Sequence, residues 1–227
     1  MSDDTARQHF DRLLATAREV QARLLFLPCV AVGGTAAALY ARHRVSLDVD
    51  FVSPYLRERF AEVESALSEM PGFSFARLRR PVLILGRVGE DEVGIRQLRR
   101  QEPLEAVERE GLWLPTLAEL IRVKSFVLSD RRAVRDYVDV CALVETAGMA
   151  EAVRAMQPFE RLYRGMTTAG PVAAFAEAAF DTPADASDVD LRAWRMLRSE
   201  YQDLARVRAV CEQFALNVIE NQAGPAT

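Results

Sequence analysis

Residues 29–52 read CVAVGGTAAALYARHRVSLDVDFV, and the reading of this stretch decides the fold. Cys29 to Val32 is a short apolar run that follows Pro28 and ends on Gly33-Gly34, the pattern of a buried strand feeding a turn. A helix is expected through Ala41, then a loop, then a second strand carrying Ser46, Asp48 and Asp50. Strand side chains alternate, so these three polar residues should share one face, with Leu47 and Val49 on the other.

Two carboxylates about 7 Å apart on one strand face suit Mg²⁺, a hard cation that takes oxygen ligands and keeps substrate phosphates as others. An edge strand with alternating Asp is the bland alternative. Gly33 and Gly34 permit close approach of a ligand, and the free N–H groups at the helix start attract phosphate. Thr35 adds a hydroxyl. Either feature alone is common, but a phosphate-suited turn followed by a metal-suited strand is the pairing that nucleotide chemistry requires.

The surroundings suit a compact α/β protein. The chain has 227 residues, 50% of them hydrophobic, enough for one large domain or two small ones. No apolar run has the length of a membrane span, and the opening MSDDTARQHF lacks the basic and then apolar pattern of a secretory signal, so a cytoplasmic protein without membrane partners is expected. Cys29, Cys141 and Cys211 form neither a disulfide framework nor a zinc-ligand spacing and read as reduced core residues. Net charge is −4, which announces no nucleic acid. Arginine pairs at Arg79-Arg80, Arg99-Arg100 and Arg131-Arg132 are either solvated surface or patches along a polyanion.

Helical spacing over residues 5–25 predicts an amphipathic first helix. After Pro54, the apolar series Leu56, Phe60, Val63, Leu67 and Met70 predicts another, ended by Pro71-Gly72. Three strands are expected at 73–78, 82–88 and 92–98, the last two as a hairpin, so the sheet is mixed. From Pro115 the strand signals stop, and helices are expected at 117–128, 133–147, from Pro171 to Phe180, and as one long final helix from Leu191 to Val218. Residues 184–190 read as a linker. The predicted organisation is an α/β core over 1–112 and a helical bundle over 113–227.

Lys124 is the only lysine among 29 basic residues and falls on the apolar stripe of its helix. An inward ammonium needs an anion, either a triphosphate or a structural Asp. Arg135 and Asp139 have the spacing of a surface i,i+4 pair, whereas Asp136 stands at the edge of the apolar face with Val140 and Leu143. His43 reads as a solvated loop residue or else a contact to nucleotide or metal, and Arg42 and Arg44 as candidates for phosphate or an RNA backbone. With only His9 and His43 in the chain, a histidine-based hydrolase has little to work with.

The run GGTAAALYARHRVSLDVDF resembles the signature of the polymerase-β-type nucleotidyltransferase superfamily, most closely the AbiEii-type abortive-infection toxins, which include the mycobacterial MenT-type toxins. PTLAELIRVKSFVLSDRRAVRDYVDVCAL resembles that family's second block, a lysine-bearing helix followed by an Arg-Asp-x-x-Asp helix. The resemblance implies a polymerase-β-type core and transfer of a nucleoside monophosphate from an NTP to a hydroxyl of tRNA or another RNA. It implies Asp48, Asp50, Lys124 and Asp136 as catalytic, with Mg²⁺ on Asp48 and Asp50. Gly33, Gly34, Thr35, Ser46, Lys124 and Arg44 would hold the nucleotide, Lys124 on the departing phosphates. A growth-inhibiting toxin with a cognate antitoxin is the implied role.

One departure stands out. The superfamily commonly carries a third carboxylate on a neighbouring strand, where this chain offers Gly94, with Glu92 as the substitute if register permits. Two alternatives follow: transfer to a small molecule such as an aminoglycoside-like antibiotic, or an inactive nucleotide- or RNA-binding relative.

Overall fold

The computed structural model describes residues 3–194 and 196–223. These fall into two compact units, one of residues 1–39 with 45–116 and one of residues 40–44 with 117–227.

The first unit contains α1 (Asp3–Arg23), β1 (Val30–Val32), most of α2 (Gly33–Ala41), β2 (Asp48–Ser53), α3 (Leu56–Ser68), β3 (Phe73–Arg79), β4 (Leu83–Val88), β5 (Asp91–Gln97), β6 (Ala106–Arg109) and β7 (Leu112–Pro115). The main sheet runs β1-β2-β5-β4-β3, with β2 and β5 parallel and the other neighbours antiparallel, the mixed sheet expected. Val49 and Phe51 on β2 and Ile95 on β5 are fully buried, and α1 packs against both strands while α3 packs against β5. α1 contributes Leu13, Ala17 and Val20, and α3 contributes Leu56, Phe60, Val63 and Leu67 at the predicted helical spacing. Asp48, Asp50 and Val52, on the other face of β2, are half-buried.

The β4–β5 hairpin turns on Gly89-Glu90, with Gly89 at φ 59°, so Asp91 belongs to the strand. That acid is buried and accepts from Thr16 Oγ1 at 2.7 Å and Arg12 Nε at 3.2 Å, which pins α1 to the end of β5. The β6–β7 ribbon has no counterpart in the sequence reading. Its strands have four residues each, too short for alternation to declare itself, although Glu110 and Gly111 at φ 53° and 76° make the left-handed turn that closes it.

The second unit is helical, as expected: α4 (Leu117–Arg131), α5 (Val134–Ala147), α6 (Met149–Ala155), α7 (Phe159–Leu162), α8 (Pro171–Phe180) and α9 (Leu204–Ala223). Its core includes the stacked Phe126–Tyr163 pair and the edge-on series Phe159, Phe175 and Phe214. Two expectations fail here. The final helix starts at Leu204 and not Leu191, because Asp203 Oδ1 accepts from the Ala205 and Arg206 N–H groups and caps it. Among the described residues of 191–203, the regular elements are single 3₁₀ turns, Leu191–Ala193 and Ser199–Tyr201. Residues 184–190 are no free linker: Ala184 N–H donates to Arg132 O, and Asp185 accepts from Val134 N–H.

All three cysteines are buried thiols, and burial pushes Cys29 and Cys141 up to about 12, in keeping with reduced core residues. No helix among the described residues is long and apolar enough to cross a membrane.

Candidate functional site

In the first unit, α2 begins at Gly33, whose φ of 73° is one that side-chain-bearing residues rarely adopt. A Cβ built there would lie 3.7 Å from Asp50 Oδ2, so the helix start and the carboxylate strand stand side by side. Gly34 is the second residue of the helix. Thr35 is fully buried, and its hydroxyl donates to Asp48 O at 2.6 Å. Its single proton ties α2 to β2.

Ser46 is not on the strand. β2 begins at Asp48 because the Ser46 hydroxyl turns forward onto Asp48 O at 3.2 Å and Asp48 Oδ1 at 3.1 Å, a local side-chain bond that replaces strand pairing. Leu47 is consequently 64% exposed instead of sharing the buried face with Val49. Thr35 and Ser46 thus both hold Asp48.

Strand register answers the question of a third acid. Asp48 pairs with Glu92, Asp50 with Gly94 and Val52 with Arg96, so these six residues share one face. A Cβ on Gly94 would fall 2.2 Å from Asp50 Oδ1, which means that Asp50 leans over a position only glycine leaves open. Glu92 stands beside Asp48, where its Oε1 accepts from Arg87 at 2.5 Å. Arg96 Nε donates to Asp50 Oδ1 at 3.1 Å, with both side chains partly exposed. No three acid, histidine or cysteine side chains among the described residues are gathered as a metal cage. One or two carboxylates plus substrate phosphates suffice for Mg²⁺, and Asp48 and Asp50 fit that donor set.

The second unit holds a closed cluster. Lys124 is buried, as its place on the stripe predicted, and its partner is a structural acid: Nζ donates to Asp139 Oδ2 at 2.6 Å. Arg44 reaches both oxygens of Asp139, Nε at 2.8 Å and Nη2 at 3.0 Å, and His43 Nε2 lies 2.8 Å from Oδ1. His43 is therefore buried, not solvated, and edge-on to Tyr201. Asp139 is fully buried and makes no surface pair with Arg135, because the buried Lys124 on α4 and the half-buried Arg44 require a counterion on the facing helix. A signal for it was present: Asp139 stands to Leu143 as Asp136 stands to Val140.

Burial lowers the His43 pKa, and the bond to Asp139 only partly restores it, so the ring is neutral at pH 7. Burial alone would raise the Asp139 carboxyl, but Arg44, then Lys124 and His43, hold it well below the usual carboxylate range. Asp136 is also fully buried: Oδ1 accepts from Arg131 Nη2 at 2.8 Å, while Oδ2 has no partner among the described residues.

The arginine pairs are largely engaged. Arg80 bonds Glu64, and Arg132 bonds Glu177 at 2.9 Å and Asp181 at 2.5 Å. Arg100 is buried on the Glu102 and Pro103 carbonyls, both at 2.8 Å. Arg131 serves Asp136.

Among solved structures, the protein is similar to JHP933 from Helicobacter pylori, at TM-score 0.54 and 19% identity over 96% of this chain and 95% of that one. It is similar also to a candidate nucleotidyltransferase from H. pylori, at TM-score 0.54 and 18% identity over 98% of each chain. The fold is that of a nucleotidyltransferase. No family profile and no curated protein matches the sequence at a significant level. The nucleotidyltransferase fold agrees with the superfamily resemblance of residues 33–51 and with the mixed sheet predicted from the strand pattern.

Proposed function

We propose that the protein is a Mg²⁺-dependent nucleotidyltransferase of the AbiEii type that moves a nucleoside monophosphate from an NTP to a hydroxyl of an RNA acceptor such as tRNA. In that reading it is the toxin of a toxin–antitoxin pair. The observation that carries the transferase reading is the juxtaposition of Gly33, at the start of α2, with Asp50 on the strand that also carries Asp48.

The acceptor oxygen bonds to the α-phosphorus, the bond to the bridging oxygen breaks, and pyrophosphate leaves. The backbone N–H groups at Gly33 and Gly34 receive phosphate at the helix start. Asp48 and Asp50 would hold Mg²⁺, which neutralises triphosphate charge and favours the ionised acceptor hydroxyl. Ser46 and Thr35, which the resemblance assigns to the nucleotide, act by holding Asp48 in place. Glu92 supplies the further carboxylate once freed from Arg87 and can take the hydroxyl proton. Most of the rate comes from positioning and charge neutralisation. Lys124 serves chiefly as an anchor for Asp139, which also fixes Arg44 and His43 in the segment leading into β2. Asp136 is its neighbour on α5, held by Arg131.

The test incubates the protein with Mg²⁺ and each labelled NTP, with total tRNA or an aminoglycoside as acceptor, beside Asp48→Ala and Lys124→Ala. Label in tRNA that disappears in Asp48→Ala supports the proposal, and equal labelling by Asp48→Ala removes it. Lys124→Ala should lower activity and thermal stability together if the lysine is an anchor. Activity lost at unchanged stability would assign it to the phosphates.

A second reading has its own support: Arg96 neutralises Asp50 and Gly94 stands where a third acid is usual, as in an inactive nucleotide- or RNA-binding relative. NTP binding without transfer to any acceptor is its signature.

A further inference from the structure

The face that carries Asp48 and Asp50 continues into a pocket. Val52 is two residues beyond Asp50 on the same side of β2, about 7 Å along the strand, and lines a cavity of about 460 Å³ within the first unit. Val30, the register partner of Val52 on β1, forms the wall beside it, and Leu98, just past β5, and Leu27 complete the floor. This volume is in the range of small-molecule sites, roughly 300–1,000 Å³. Trp113 and Tyr55 line it while remaining 47% and 48% exposed, and Leu25 beside them is 81% exposed.

Its chemistry is selective. No aspartate, glutamate, lysine or arginine is among the lining residues. The one amide, Gln21, is consumed inside the protein: Nε2 donates to Cys29 O at 3.0 Å and Trp113 O at 3.3 Å, and Oε1 accepts from Trp113 N–H at 2.8 Å. A polycation would find no counter-charge here, whereas an uncharged flat ring would find aliphatic walls and two half-exposed aromatic side chains on which to stack. Arg96 is the register partner of Val52, and its half-exposed guanidinium reaches back to Asp50. A cation therefore stands beside the carboxylates, one strand over from the pocket-lining Val52. A ring in the pocket, an anion at Arg96 and a hydroxyl at Asp48 are the parts of one nucleotide at the end of a strand.

We propose that this pocket seats an unpaired nucleobase of the acceptor RNA, stacked against Trp113 and Tyr55, while Arg96 receives an adjoining phosphate. The assignment rests on the nucleotidyl-transfer reading of the same face and gives it an acceptor class, RNA ends over cationic small molecules.

The experiment reads binding without catalysis. In a Trp194→Phe background, where Trp113 is the sole tryptophan, fluorescence is titrated with a ribotrinucleotide, with the same trinucleotide lacking its 3′-terminal base, and with tobramycin, in the absence of NTP and Mg²⁺. The intact trinucleotide should quench Trp113 and bind about tenfold more tightly than the abasic one, a usual size for base stacking on an aromatic side chain. Tyr55→Ala should weaken only the intact ligand, and Arg96→Gln both ligands. Equal affinity of intact and abasic trinucleotides, or tighter binding of tobramycin, overturns the proposal. So does a change in Trp113 emission with protein concentration alone that Leu25→Glu abolishes, because the pocket is then covered by a second copy of the chain. Tight, base-dependent binding with no transfer to any acceptor leaves the pocket standing and removes the enzyme reading. Asp48-dependent transfer with no base dependence does the reverse.

Discussion

Asp50 and Asp139 each accept from an arginine, and the two pairs have different physics. Asp50 is 28% exposed and takes one bond from a half-exposed Arg96, so solvent screens the pair and little free energy holds it closed. Asp139 has no exposure and receives a bidentate guanidinium, an ammonium and an imidazole. Stripping water from that many charges is costly, and only mutual satisfaction offsets it. An ionic group meant to exchange partners with a substrate has to resemble Asp50. One that resembles Asp139 holds the chain in place.

The largest expected effect is at Asp48. Asp48→Asn should lower transfer about 10³-fold, the size of removing a preorganised electrostatic contact, with the thermal midpoint unchanged. A large loss of stability would show that the open face is structural too. Asp139→Ala should cost about 3–5 kcal/mol of stability by leaving buried cations unpaired, measured by urea unfolding. A loss under about 1 kcal/mol, the surface-pair range, would erase the contrast between the two regions.

Gly94→Ala comes next. Its Cβ would meet Asp50 Oδ1 at 2.2 Å and push the carboxylate aside, which should lower transfer about 10²-fold. Circular dichroism should show the fold retained, and unchanged transfer would mean that Asp50 need not lie over position 94.

The smallest effect is the pH dependence from His43. Burial lowers its folded-state pKa below the ordinary 6.5, so between those two values the unfolded chain binds a proton that the folded chain does not. Stability should therefore decline as pH falls through about 6.5, and His43→Gln should flatten that part of the curve. Asp139 acts in the same direction but at far lower pH, since its carboxyl stays ionised until well below the usual carboxylate range.

Much of the first unit was legible because its signals are local. The apolar run before Gly33, the alternation from Asp48 to Val52 and the three- and four-residue steps of α3 each specify an element from nearest neighbours alone. The β6–β7 ribbon escaped because four-residue strands carry too little pattern. The spacing of apolar residues continues through 191–203 and so predicts too long a final helix, although Asp203 is a capping signal. Irregular backbone is stabilised there by a distant group: Arg198 N–H donates to His43 O.

The candidate site divides the same way. Residue type and spacing single out Gly33, Asp48 and Asp50, and the structure sets Gly33 against Asp50 on the strand that also carries Asp48. Periodicity alone predicted that Lys124 would face inward. It could not say which anion would meet it, because that choice depends on residues brought together from sequence-distant segments, Asp139 from α5 and Arg44 with His43 from residues 40–44. Strand register likewise lay beyond the sequence: only pairing β2 with β5 in parallel sets Glu92 beside Asp48, Gly94 under Asp50 and Arg96 beside Val52 within reach of Asp50. The sequence by itself determined most of the elements and the faces of Asp48, Asp50 and Lys124, since both follow from dihedral period. Tertiary structure decided the partners, since the free energy of a buried charge is set by whatever the fold brings within a few ångströms of it.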